Sequence, residues 1–124
     1  MDILISNTSG KPIYEQITSQ IKAQILSGEL KAGDALPGIR TLAKELRISV
    51  ITTKRAYEDL ERDGFVVTVP GKGSFVAAQN AELLHEEALR QTEDILQQAV
   101  NAARQGGVGR EELFEQLSLL WEEE

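Results

Sequence analysis

Residues 36–62, LPGIRTLAKELRISVITTKRAYEDLER, constrain this chain more than any other stretch. Leu42, Ala43 and Leu46 fall at helical spacing, and Ile51, Ala56, Tyr57 and Leu60 supply a second apolar stripe. Arg47-Ile48-Ser49 breaks the two apart. Ser49 is a good N-cap, since its hydroxyl accepts a hydrogen bond from an amide of the next first turn. Pro37 punctuates the entry, so the first helix is expected over about 38–46 and the second over about 50–62, stopped by Asp63-Gly64. Two short helices with so tight a join, followed by an apolar β-like pair, predict a helix-turn-helix with a wing.

The flanks support that frame. Residues 1–10 read as a short extended arm. Pro12 then stands where its missing amide costs nothing, at the start of a helix over about 12–27. Ile13, Ile17, Ile21 and Ile25 recur every four residues along it, and Gly28 is its stop. Gly33-Asp34 marks a turn, and Ala35-Leu36 is placed to add a short strand to the later hairpin. Residues 65–69 are β-branched and aromatic, residues 70–73 are a turn, and residues 74–76 return. That hairpin is the wing. Two more helices are expected, over about 80–103 and 111–121, separated by the glycine-rich 105–109. Leu84, Ala88, Ile95, Ala99 and Ala102 share one face of the first. Leu113, Leu117, Leu120 and Trp121 gather on the second, flanked by Phe114. The fold class is therefore mostly α with a small β-hairpin: a winged helix-turn-helix over residues 1–78 and a two-helix tail over 79–124.

Charge separates the same two parts. The whole chain has a formal net charge of −7. Residues 1–78 hold ten Lys/Arg and nine Asp/Glu, a net of +1, while residues 79–124 hold three against eleven, a net of −8. The acidity lives in the tail, and the front part must rely on clustered cations. Cysteine is absent, which excludes disulfides and thiolate metal sites. There is no apolar run long enough to span a membrane, and the first residues lack the pattern of a signal peptide. A cytoplasmic location, with no membrane partner, is the expectation.

Recognition of double-stranded DNA by this architecture requires a helix that enters the major groove with its first residues on base edges, and cations and hydroxyls on phosphates. Ser49, Val50, Ile51, Thr52, Thr53 and Lys54 open the second helix. Lys54 or Arg55 could reach base acceptors or phosphates. Val50 or Ile51 could meet a thymine methyl, with one of the two expected in the core. Arg40 and Lys44 lie on the preceding helix, Arg47 in the turn, and Gly71-Lys72-Gly73 at the wing tip, where glycine lets backbone approach phosphate. Tyr14 and Tyr57 read as core packing. Catalysis has little to stand on. His85 is the sole histidine, Asp34 is an isolated carboxylate, and Gly71-Lys72-Gly73-Ser74 lacks the rest of a phosphate-binding loop. No metal, cofactor or enzymatic activity is expected.

These residues resemble the GntR family of bacterial transcription regulators over about 10–77. The likeness runs through Pro12-Ile13-Tyr14 with Gln16-Ile17, Gly33-Asp34-x-Leu36-Pro37, Arg40-x-Leu42-Ala43, Thr52-x-x-Arg55-Ala56-Tyr57 and Leu60-Glu61. It ends with Gly64-Phe65 and Gly71-x-Gly73-x-Phe75-Val76. It implies a dimer on operator DNA. A tail of two short helices looks like the YtrA subfamily, where it serves dimerisation and where the controlled operons include ABC transporters. The resemblance assigns DNA contacts to Arg40, to Thr52 with Lys54 or Arg55, and to Gly71 and Gly73. Two positions depart from the pattern: Gly38 replaces a serine after Leu-Pro, and Val50 stands where many relatives carry an arginine.

Taken together, the expectation is a bacterial repressor, homodimeric through Leu84, Ala88, Ile95, Ala99, Leu113, Leu117, Leu120 and Trp121, on a palindromic operator. Two helices of so few residues bury too little to stand alone; packing on the front domain is one solution and packing on a second copy, the commonest kind of oligomer, is the other. The rival readings are a winged-helix module that binds protein and has no DNA role, and a ligand-sensing regulator with a small molecule between tail and front domain.

Overall fold

The computed structural model describes residues 1–123, so Glu124 of the proposed tail lies outside the described residues. The order of elements is α1 (Ile13–Leu26), α2 (Ile39–Leu46), α3 (Val50–Arg62), β1 (Val66–Val69), β2 (Gly73–Val76), α4 (Ala81–Gly106) and α5 (Arg110–Glu122). By its internal contacts the chain divides into residues 1–85 and residues 86–124, so the division falls inside α4.

In residues 1–85 the isoleucine stripe of α1 closes on the two helices of the central motif. Ile17 and Ile21 are fully buried, with Ile25 alongside. Leu42 of α2 and Ala56, Tyr57 and Leu60 of α3 complete the helical side of the core, and Leu36, Phe65, Val66 and Val76 complete the hairpin side. β1 and β2 pair antiparallel with Val66 opposite Val76 and Thr68 opposite Ser74. Ala35 adds the expected third strand as a bridge to Phe75, and Leu36 N–H donates to the Ser74 carbonyl at 2.9 Å.

The first ten residues are more ordered than an extended arm requires. Ile3 is buried, and three glutamines of α1 hold the backbone beside it. Gln24 Nε2 donates to the Asp2 carbonyl at 2.7 Å. Gln20 takes both groups of Leu4, and Gln16 takes both groups of Ser6. The register has a simple cause. Four residues of helix rise about 6 Å and two residues of strand span about 6.6 Å. Side chains every four residues on a helix therefore match backbone groups every two residues on an extended chain.

The first turn of α4 belongs to the front unit, where Leu83 and Leu84 pack on its core. Asn80 caps the helix, its Oδ1 accepting from the amides of Glu82 and Leu83 at 2.9 and 3.2 Å. Leu84, expected on the dimerisation face, is thus occupied inside the front unit. In residues 86–124, α4 ends at Gly106 and the Glu112 carboxylate accepts from the Gly109 amide at 3.2 Å to start α5. No residue of α5 is buried. Leu96, Ala99 and Val100 of α4 and Leu113, Leu117 and Leu120 of α5 line an open apolar groove of about 810 Å³. No described helix is long and apolar enough to cross a membrane.

Candidate nucleic-acid interface

The interface is built on the turn between α2 and α3. Arg47 ends α2 in the left-handed conformation, at φ 58° and ψ 46°. The reversal lets Ile48 N–H donate to the Ala43 carbonyl at 3.0 Å. An L-residue is disfavoured in this conformation by roughly 1–2 kcal/mol, and glycine would relieve the cost. Ser49 then caps α3 as expected, accepting from the Thr52 amide at 3.0 Å. Its own hydroxyl donates to Thr52 Oγ1 at 2.8 Å.

Tyr57 fixes what precedes α2. Its buried hydroxyl donates to the Pro37 carbonyl at 2.6 Å. Burial, and secondarily the Glu45 carboxylate, raise its pKa above the ordinary phenol value, so it stays a donor. Gly38 is the N-cap residue of α2 and supplies no side-chain bond there. A Cβ at Gly38 would meet only Thr41 Oγ1, at 3.9 Å, so a serine fits.

The first turn of α3 departs from expectation in two ways. Neither of its leading apolar residues is in the core: Val50 is 41% exposed and Ile51 is 82% exposed. The buried stripe is Thr53, Ala56, Tyr57 and Leu60. At about 100° per residue Ile51 points roughly opposite that stripe. The second correction is Thr53. It is fully buried and donates to the Ser49 carbonyl at 3.1 Å, so its side chain buttresses the turn and is not open to a ligand. Ser49 and Thr52 bond mainly to each other.

The cations separate cleanly. Arg62 pairs with Asp59 and Asp63 at 3.1 and 3.3 Å, and the buried Lys22 pairs with Asp63 at 3.4 Å. Arg55 lies over the Tyr14 ring at 3.7 Å, a cation–π contact that makes Tyr14 a platform as well as a packing residue. Arg40, Lys44, Arg47, Lys54 and Lys72 are exposed and form no salt bridge or side-chain hydrogen bond with another described residue. The weak net charge of the front part therefore hides a set of unneutralised cations on α2, the turn, α3 and the wing. The sequence does not reveal this sorting, because it depends on which acids the fold brings to which bases.

At the wing tip Lys72 N–H donates to the Val69 carbonyl at 2.9 Å, closing a turn with Pro70 and Gly71 at its centre. Gly71 has φ 78°, as the third residue of a type II turn requires, and Gly73 has φ 114°. A Cβ would meet nothing at either, so backbone conformation alone accounts for both glycines. Thr68 ties the hairpin to α3, its hydroxyl donating to the Glu61 carboxylate at 2.7 Å.

A three-helix core with a capped third helix, exposed cations on α2, the turn, α3 and the wing, and a glycine-tipped hairpin defines a winged helix-turn-helix. Residues 13–76 match the family model of bacterial regulatory proteins of the gntR family. The chain is 36% identical over 113 residues to the HTH-type transcriptional repressor YtrA of Bacillus subtilis, a match covering 91% of this chain and 87% of that one. A transcriptional antiterminator from Listeria monocytogenes has the same fold at a TM-score of 0.71 and 32% identity, over 98% of this chain and 91% of its own. AraR(DBD), solved in complex with operator ORX1, aligns at a TM-score of 0.55 and 26% identity, over 62% of this chain and 96% of its own. This chain belongs to the GntR family of bacterial transcription regulators, in its YtrA subfamily.

Proposed function

We propose that this GntR-family regulator is a repressor that binds a palindromic operator as a homodimer. The observation that carries the reading is the set of unpaired cations on α2 (Arg40, Lys44), the turn (Arg47), α3 (Lys54) and the wing (Lys72), together with the exposed first turn of α3. A duplex carries closely spaced phosphates, and cations with no internal partner are available to replace its counterions. The first turn of α3 faces base edges, and Ser49 and Thr52 help chiefly by fixing that turn. Arg55, held on Tyr14, borders the same face. The operator complex of AraR(DBD) supports a duplex as the partner. The domain division proposed is a DNA-binding part over about 1–78 and a pairing part over 79–124.

The apolar groove of the tail supports pairing. Ile95, Leu117, Leu120 and Trp121 are exposed in one chain, and Ala88, Ala99 and Leu113 are half-covered. A second copy would cover them. Two copies would set two α3 helices in successive major grooves, one turn of duplex apart. The resemblance to the YtrA subfamily extends the proposal to an ABC transporter operon among the controlled genes.

Mobility shift of the chain's own promoter region at two salt concentrations tests the proposal. Sequence-selective binding that weakens steeply with salt is expected, and Arg40→Ala with Lys54→Ala weakens it further. Binding that ignores sequence, or no binding at low salt, contradicts it.

A further inference from the structure

The two exposed apolar residues of α3 lack a structural role in the chain itself. Val50 and Ile51 are β-branched, which lowers helix propensity, and both are exposed where core packing gains nothing from them. Ile51 is 82% exposed, against full burial of Thr53 and Leu60 on the opposite side of the same helix. The polar groups of that turn are largely engaged. Ser49 Oγ bonds both the amide and the hydroxyl of Thr52, and Thr53 bonds the Ser49 carbonyl. Lys54 is the one cation in the first five residues of α3, and Arg47 precedes it in the turn. The surface is an apolar pair flanked by unpaired positive charge.

A partner that fits must be anionic at its edges and apolar between them. The major groove offers that combination where thymine projects its 5-methyl group between two phosphate backbones. We propose that Val50 and Ile51 read thymine 5-methyl groups, so that part of the sequence selectivity of this chain is hydrophobic. This rests on the DNA-binding reading above and adds the chemistry by which bases are told apart. The expected sites carry thymine where the start of α3 meets the groove.

The test uses the full chain and a random duplex pool. After selection, each thymine of the enriched duplex is replaced in turn by deoxyuridine, which pairs identically and lacks only the methyl group. At one or two positions the Kd is expected to rise roughly three- to fivefold, the effect of uncovering about one buried carbon. Ile51→Ala or Val50→Ala should then bind the thymine and deoxyuridine duplexes equally. Both side chains are exposed and alanine favours the helix, so folding is retained. An enriched duplex bound equally with deoxyuridine at every position overturns the inference alone. So does a methyl effect that persists in both alanine variants. A pool in which nothing is enriched overturns the DNA-binding reading, and this inference with it.

Discussion

In residues 1–85 the apolar stripes of α1, α2 and α3 close on one another, leaving Ile17, Ile21 and Leu60 with no exposed surface. In residues 86–124 stripes of the same period stay open. Ile95 is 65% exposed, Leu120 64% and Trp121 80%, and Ala103 is the one buried apolar residue described there. Periodicity reports that a helix has an apolar face and is silent on what covers it. The front unit satisfies itself with three helices and a hairpin. The tail pair leaves much of its own apolar surface open, because two helices this small bury little.

The two regions should therefore respond differently to comparable changes. The largest effect is expected from Leu117→Asp with Leu120→Asp. Charges on the open face of α5 should leave the chain monomeric by ultracentrifugation and weaken operator binding about 100-fold or more, since the second half-site is lost. Leu60→Ala, by contrast, opens a cavity in a closed core. Thermal or denaturant unfolding should show a loss of about 2–5 kcal/mol. That loss should not depend on protein concentration, whereas the stability of a paired tail should.

Smaller changes separate fold from function inside the front unit. Arg47→Gly should stabilise the chain by about 0.5–1 kcal/mol by removing left-handed strain. It should also weaken DNA binding and reduce the salt slope by about one per chain. A variant that melts higher and binds worse would identify Arg47 as a residue kept for its charge. The smallest effect is expected from Gly38→Ser. It should add a few tenths of a kcal/mol through a cap at the start of α2, read in the unfolding midpoint.

Much of this fold is legible in the sequence, and the exceptions have physical causes. The bounds expected for α3, 50–62, coincide with Val50–Arg62, because Ser49 and Asp63-Gly64 mark both ends chemically. The bridge at Ala35 follows from a two-residue apolar step beside a turn. Ile51 departs from the expected stripe because its angle on the helix sets it opposite Tyr57 and Leu60, whatever its apolar character. The glutamine ladder leaves no mark on apolar periodicity, since Gln16, Gln20 and Gln24 lie off the isoleucine stripe. Their spacing of four is the signal that could have found it. The candidate interface was legible as a set of cations, and not as a set of unpaired ones. Pairing of Arg62 with Asp59 and Asp63, and of Arg55 with Tyr14, depends on geometry that composition does not contain. Leu84 illustrates the same limit at the junction, where one helix serves two units.

The central claim is that the closed front unit reads DNA and the open tail pairs it. The stoichiometry of the full chain on a selected operator duplex, measured by sedimentation, tests this most directly. Two chains per duplex are expected, binding together, with the Leu117→Asp, Leu120→Asp variant binding singly and weakly. One chain per duplex at full affinity, or a variant that still binds as a pair, would contradict it.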